Sequence, residues 1–174
     1  MNFRKANATD VERLDRLVNA AYRGESGMRG WTTEAHLLGG VRIDPERLET
    51  TIKSSDAVIL LSENESGELL ACGQLTVKPG GVAFLSMLTV DVEKQTGGIG
   101  KSLLSECERF AKAELKCGRI EMFVIEIRKE LVSWYERRGY KRTGITHPFP
   151  NDIKFGIPLA KANAGVVAAA GEYA

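Results

Sequence analysis

One long amphipathic segment, bracketed by two short apolar ones, constrains this chain more than any other feature. Residues 98–116 place apolar side chains at positions 99, 103, 107, 110, 111 and 115. That spacing gathers them on one stripe of an α-helix, and Gly118 supplies the stop. Before this segment stands VAFLSMLTV (82–90) and after it RIEMFVIE (119–126), both apolar enough for strands of a buried sheet. A strand, a helix of this length and another strand make a crossover, so the two strands should run parallel.

The rest of the chain supplies neighbours for that unit. Residues 3–6 read as a short strand. Thr9 then caps a helix, with Glu12 completing a capping box, and Val11, Leu14, Leu17, Val18 and Ala21 form its apolar face. Glycines at 24, 27 and 30 make a loop that ends in Trp31-Thr32-Thr33-Glu34. Asp44-Pro45 starts a second helix over 45–53. Strands at 57–62, 69–77 and 82–90, joined by a polar turn and by Lys78-Pro79-Gly80-Gly81, predict an antiparallel meander. Downstream, a helix over 129–138 ends at Gly139, and strands at 140–146 and 153–158 follow. Residues 161–174 (KANAGVVAAAGEYA) carry no large apolar anchor except Tyr173 and read as a loose tail. The expected organisation is one domain over 1–160 and a C-terminal tail over 161–174. The expected fold class is α/β, a mixed and mostly antiparallel sheet flanked by about four helices.

Composition removes several function classes. Lys+Arg 24 against Asp+Glu 23 leaves a net charge of +1, which gives no electrostatic reason to expect nucleic acid. No apolar run approaches the ~20 residues of a membrane helix, and MNFRKANATD has no signal-peptide pattern. Cys72, Cys107 and Cys117 cannot all pair within one chain and form no CxxC, which fits a reducing cytoplasmic compartment. His36 and His147 stand apart without metal-spaced partners, so no metal site is expected.

The stretch Gln95-Thr96-Gly97-Gly98-Ile99-Gly100-Lys101-Ser102 opens the long helix. First-turn amides without helical partners, helped by the helix dipole, suit a phosphate or pyrophosphate. One reading is a nucleotide P-loop, because Gly100-Lys101-Ser102 matches the end of GxxxxGK[ST]. Against it, residue 95 is glutamine, the loop follows an antiparallel meander, and RIEMFVIE ends in glutamate rather than an aspartate for magnesium. The other reading rests on Gln95-x-x-Gly98-x-Gly100, which resembles the Q/R-x-x-G-x-G/A signature of the GNAT superfamily of N-acetyltransferases. Leu131-Val132-Ser133-Trp134-Tyr135-Glu136-Arg137-Arg138-Gly139-Tyr140 is similar to that family's second, YExxGF/Y-like segment. The element order from about Phe3 to Pro158 resembles the family fold as well.

The resemblance implies acetyl-CoA as co-substrate, with no metal, and an amine acceptor that is a small molecule or a peptide. It also implies that the family's fourth and fifth strands, here 82–90 and 119–126, splay apart to admit the pantetheine arm. The expected cofactor contacts are Leu88, Thr89 and Val90 on the first of these strands, then Gln95, Thr96, Gly97, Gly98, Ile99, Gly100, Lys101 and Ser102. A backbone amide near Leu88 would also stabilise the thioester oxygen. Tyr135 is the expected general acid, since a phenol stays protonated at neutral pH. Family members place a basic glutamate where this chain has Ser86 or Phe123, which leaves Glu126 and Glu34 as the nearest candidate bases. Arg128 stands where many members have asparagine. Trp31 and Glu34 suggest an amine pocket, or Trp31 a plain hydrophobic plug. The cluster Arg137, Arg138, Lys141 and Arg142 is either a contact for the CoA 3′-phosphate or a solvated face. A catalytically silent CoA-binding module of the same fold is the alternative. A homodimer through the last two strands and the tail is also open.

Overall fold

The computed structural model describes residues 1–23, 38–39, 41–95, 97–126, 128–147, 157–158 and 166–172. Its strands are β1 (Asn2–Lys5), β2 (Leu38–Gly39), β3 (Ala57–Glu63), β4 (Leu69–Lys78), β5 (Val82–Val90), β6 (Arg119–Ile125), β7 (Lys141–His147), β8 (Ile157–Pro158) and β9 (Val166–Glu172). Its helices are α1 (Val11–Arg23), α2 (Pro45–Lys53), α3 (Ile99–Ala113) and α4 (Lys129–Glu136). Seven strands form one sheet in the order β1-β3-β4-β5-β6-β9-β7. Every neighbouring pair in it is antiparallel except β5–β6, which is parallel as the crossover requires.

Alternation along the strands sends side chains to two cores, one on each face of the sheet. On one face Leu103, Leu104, Cys107, Phe110 and Ala111 of α3 pack with Leu85, Ile120, Met122, Val124 and Tyr135. On the other, Leu14 and Val18 of α1 and Leu48 of α2 pack with Ile59, Leu61, Cys72 and Met87. The periodic positions read from the sequence at 103, 107, 110 and 111 are all buried. Asp44 caps α2 as its position before proline suggests, accepting from the Arg47 amide at 2.8 Å.

Three expectations are corrected. The first helical cap is Asn7 rather than Thr9: a 3-10 turn at Ala8–Asp10 precedes α1, and the capping box joins Asn7 to Asp10. Asp10 wins because its carboxylate also meets Arg4 through two 2.7 Å bonds, and it is 1% exposed. The second correction concerns 161–174, expected as a loose tail. Its residues Val166–Glu172 pair along β6 on one side and β7 on the other, so backbone hydrogen bonds secure a segment that lacks apolar anchors. The third concerns 153–158: of it only Ile157–Pro158 is described, and it pairs with β2 outside the main sheet.

A closed ion network holds the β1 edge. Arg4 bridges Asp10 and Glu63, and Arg13 reaches Glu63 at 3.0 Å and Asp10 at 3.6 Å. Hydrogen bonds from Arg4 hold both carboxyls below their ordinary range despite burial.

Candidate functional site

The parallel ladder between β5 and β6 runs only from Val82–Arg119 to Leu85–Met122. Past that point β6 continues along β9, while residues 86–90 of β5 continue along β4 with a shifted register. The strands therefore part and, among the described residues, leave the β6-facing edge of β5 without a strand partner from Ser86 onward.

The register shift is a β-bulge. Cys72 pairs with Thr89 and Gln74 with Ser86, so Met87 and Leu88 together oppose Gly73. Met87 takes a φ of 54°, a left-handed conformation that a side chain larger than glycine adopts at a cost. The packing around it is close: a Cβ on Gly73 would come within 3.2 Å of Cys107 Sγ and 3.3 Å of Leu88 Cδ1. A side chain opposite the bulge would require Cys107 and Leu88 to give way by a few tenths of an ångström.

Peptide directions at the bulge follow from its hydrogen bonds. The Asp91 amide donates to Leu70 O at 2.8 Å, so by strand alternation Thr89 also faces β4 while Leu88 and Val90 face the opening. Their carbonyls are bonded there by side chains: Tyr22 Oη donates to Leu88 O at 3.2 Å, and Gln95 Nε2 donates to Val90 O at 3.1 Å. The Met87 carbonyl turns inward, accepting from Thr89 Oγ1 at 3.0 Å and from Cys72 Sγ at 3.9 Å. A trans peptide points its N–H opposite its C=O, and no peptide here is cis. The Leu88 amide is accordingly directed into the gap. Of the three strand residues expected at the cofactor, Leu88 and Val90 reach the open edge. Thr89, fully buried, does not, and it supports the bulge from behind.

Beyond Val90 a 3-10 turn (Val92–Lys94) leads into the glycine loop. Gly98 is the N-cap of α3 with φ 74°, where only glycine is unstrained, and a Cβ there would meet nothing within 4 Å. Among the described residues no side chain caps the helix, so its first-turn amides and positive dipole end are left available to a ligand. Gly97 and Lys101 are exposed, and Gln95, Ile99, Gly100 and Ser102 are half-buried; Thr96 lies outside the described residues. These features suit a pyrophosphate.

Gly100 sits against the end of β5 and against α4, since a Cβ on it would touch Val90 Cγ2 at 3.4 Å and Trp134 Cζ2 at 3.7 Å. Trp134 carries the Arg138 guanidinium over its ring at 3.6 Å. Arg138 Nη1 donates to Trp134 O at 2.6 Å, while Nε is buried without a partner. Arg138 is therefore a cation fixed near the loop, whereas Arg137, Lys141 and Arg142 are exposed.

Tyr135 is 6% exposed, packed edge-on against Trp134 and Tyr140. Its hydroxyl makes no hydrogen bond among the described residues. Burial raises the phenol well above its ordinary value, Tyr22 and Cys107 reinforce that, and Arg128 and Arg138 oppose it. The phenol of Tyr135 therefore stays protonated at neutral pH. Arg128, expected either to bind or to be solvated, is 6% exposed at the N-cap of α4. Glu126 is exposed in the turn after β6, while Glu34 and Trp31 lie outside the described residues. The open face of the splayed strands carries Phe84 and Phe123 in edge-to-face contact at 4.9 Å, with Phe123 51% exposed.

Other chemistry is limited. Burial pushes the Cys72 thiol up to about 12 and raises Cys107 and Cys117 as well, so none is a thiolate nucleophile at neutral pH. Among the described residues, no cluster of His, Cys, Asp or Glu could hold a metal ion, and no helix is long and apolar enough to cross a membrane. Sequence reasoning missed the residues that shape the bulge, Met87, Tyr22 and Gly73. The left-handed turn at Met87 arises from tertiary packing and has no local signal.

Comparison with known proteins agrees with this geometry. A family model described as the acetyltransferase (GNAT) family matches residues 17–140. No curated protein matches the chain in sequence. Among solved structures, a GNAT-family acetyltransferase of Staphylococcus aureus Mu50 aligns with a TM-score of 0.67 at 16% identity, covering 98% of this chain and 98% of that one. A mutant spermidine N-acetyltransferase of Vibrio cholerae aligns with a TM-score of 0.71 at 13% identity, over 99% of this chain and 95% of that one. A protein of Bacillus halodurans aligns at 0.68 and 19%, over 86% of this chain and 99% of that one. At these identities the structures establish the shared fold, and the family model covers most of the chain, glycine loop and Tyr135 included: the chain belongs to the GNAT acetyltransferase family.

Proposed function

We propose that this protein transfers an acetyl group from acetyl-CoA to a primary amine by direct attack in a ternary complex. The observation that carries this reading is the bulged, open end of β5, which aims the Leu88 amide into a gap lying between an uncapped helix N-terminus and the Tyr135 region. Acetyl-CoA, when bound, supplies the activated thioester carbonyl. The amides of α3 and the glycine loop hold its pyrophosphate, and the edge of β5 at Leu88 and Val90 pairs with its amide-bearing arm. The Leu88 amide donates to the carbonyl oxygen as that oxygen gains negative charge. The acceptor nitrogen bonds to the carbonyl carbon, the carbon–sulfur bond breaks, and Tyr135 gives its proton to the departing sulfur. Glu126 or Glu34, through water, takes the proton that the amine must lose. The raised thiols argue for direct transfer without an acyl-cysteine intermediate.

A second reading is a CoA-binding module without turnover, favoured by Ser86 and Phe123, neither of which can accept a proton at these positions. One experiment separates the two. Calorimetric titration with acetyl-CoA, with ATP–Mg²⁺ as control, tests binding in the native protein and in Gly97→Trp. At Gly97 an added Cβ meets nothing closer than 3.7 Å, so the side chain starts without a clash and can overhang the loop, and a melting curve beside the titration checks that the variant is folded. Micromolar acetyl-CoA binding that weakens at least ~10-fold in the variant, without ATP binding, supports the site. A panel of amines that includes polyamines, because the Vibrio cholerae structural relative is a spermidine N-acetyltransferase by name, then decides between transfer and silence. A homodimer built by strand pairing would use β7, the last strand of the sheet at that end among the described residues, and size-exclusion chromatography checks it.

A further inference from the structure

Tyr22 is the penultimate residue of α1, far from β5 in sequence, and it is 7% exposed. A buried tyrosine normally finds a partner for its hydroxyl, and this one donates to the Leu88 carbonyl inside the bulge. The ring is held in turn: Arg42 lies over it at 5.2 Å, and the Arg42 amide is bonded to Asn19 Oδ1 at 2.7 Å, one turn earlier on α1. Two successive peptides of the bulge are therefore secured by hydroxyls from opposite directions. Thr89 Oγ1 fixes the Met87–Leu88 peptide through Met87 O, and Tyr22 Oη fixes the Leu88–Thr89 peptide through Leu88 O. The Leu88 N–H lies between those two restraints. Met87 is strained in this conformation, so without the restraints the bulge has a reason to relax into regular pairing with β4.

We propose that Tyr22, acting with Thr89, is a positioning residue that locks the bulge so that the Leu88 amide points at the reacting carbonyl. The proposal rests on the acetyl-transfer reading above, and it adds a residue from α1 to the machinery of β5. Tyr22 also stands near enough to Tyr135 to oppose its ionisation, which places the oxyanion donor, its clamp and the proton donor in one neighbourhood. A stabilising role alone would also bury the hydroxyl against a carbonyl, but it would not require that carbonyl to belong to a strained peptide beside the gap.

The test is Tyr22→Phe, which keeps the ring and its contact with Arg42 and removes only the hydroxyl. Complete loss of an oxyanion donor costs ~10²–10³-fold in kcat, so a donor merely freed to drift should cost ~10-fold, with KM for acetyl-CoA changed less than ~2-fold. The Leu88 amide signal in a ¹H–¹⁵N spectrum should move while that of Phe110, in the core on the other face of the sheet, stays. Thr89→Val should show the same signature, and the double variant should lose little more than either single one. Unchanged kcat in Tyr22→Phe overturns the proposal. So does a kcat loss matched by a thermal midpoint lowered by ~10 °C, since that marks general destabilisation. If the native protein transfers no acetyl group to any amine, the acetyl-transfer reading has failed, and the clamp is judged on the Leu88 signal: unmoved in Tyr22→Phe, it is overturned, and displaced with a smaller response to added acetyl-CoA, it stands.

Discussion

At the β1 edge, Asp10 is 1% exposed, and its two oxygens accept bonds from Arg4 at 2.7 Å each and from the Asn7 amide at 2.9 Å. At the open end of β5, the carbonyls of Leu88 and Val90 are bonded by side chains, their amides face the gap, and Tyr135, a buried residue, makes no hydrogen bond through its hydroxyl among the described residues. Both regions take polar groups out of water, which costs free energy unless they are partnered. The first region satisfies its groups internally, and its charges serve the join of β1, α1 and β3. The second holds donors in place and leaves them aimed outward, which is how a site for a developing negative charge is kept ready. The difference separates residues that hold the molecule together from those available to a ligand.

The largest effect should come from breaking the closed region. Asp10→Ala strands the Asn7 amide and removes one of the two carboxylates on Arg4, which is 36% exposed and stays held by Glu63, so the lost cap and charge-assisted bonds together cost ~3 kcal/mol. For a chain of this size ~1 kcal/mol moves the thermal midpoint by ~2–4 °C, so calorimetry should show a fall of ~10 °C while acetyl-CoA affinity in the cold stays unchanged. The same network predicts the response to acid. Asp10 and Glu63 titrate below their unfolded values, so their stabilisation is complete above pH ~4–5 and drains away as pH falls through the lowered folded values. Denaturation of Asp10→Ala should depend less on pH in that window than that of the native chain. A variant that kept its stability but lost acetyl-CoA binding would erase the distinction between the two regions.

Next in size is Tyr135→Phe. Loss of a general acid typically costs at least ~10²-fold, equivalent to ~2.7 kcal/mol of transition-state stabilisation. The removed hydroxyl bonds to nothing described, so no partner is orphaned and the thermal midpoint should stay within ~3 °C of native. Steady-state kinetics on the best amine of the panel, beside a melting curve, checks both halves. A variant that melts ~10 °C lower with kcat intact would make Tyr135 a core residue like Tyr140, whose hydroxyl is tied to Glu108 at 2.9 Å.

How much of this was legible beforehand tracks the range of the interactions involved. The stripe of α3, the parallel β5–β6 pair, the meander and the start of α3 at the glycine loop are set by periodicity and by residues within one turn, so sequence spacing carries them. Strand β9 was missed because VVAAAGE shows little alternation and favours no strand strongly; its position comes from two neighbours that satisfy its backbone. Asn7 displaced Thr9 as the cap because Asp10 is held by Arg4, a contact no local pattern contains. The bulge was invisible for the same reason. Leu88 and Val90 were identified through the resemblance, but that Thr89 faces β4 and that Tyr22 grips Leu88 depend on pairing across β4 and on a helix 66 residues away.

The smallest predicted effect tests the join between the two parts of the open region. Gln95 is the first residue of the glycine-loop signature, and its side chain donates to Val90 O, tying the loop to the end of β5. It does not lie in the gap at Leu88, so its loss should alter cofactor seating and leave the chemical step alone. Gln95→Ala removes a bond worth ~1 kcal/mol, or ~5-fold in affinity. The expected result is acetyl-CoA binding weakened ~5-fold by calorimetry, with kcat at saturation within ~2-fold of native. Gln95→Glu sharpens the test, because a carboxylate cannot donate to the Val90 carbonyl and adds negative charge near the proposed pyrophosphate site. It should bind more weakly than the alanine variant. Equal affinity for the native protein and both variants would mean that the tie between loop and strand has no bearing on the ligand, and that Gln95 belongs with Asp10 among the residues that only hold the fold.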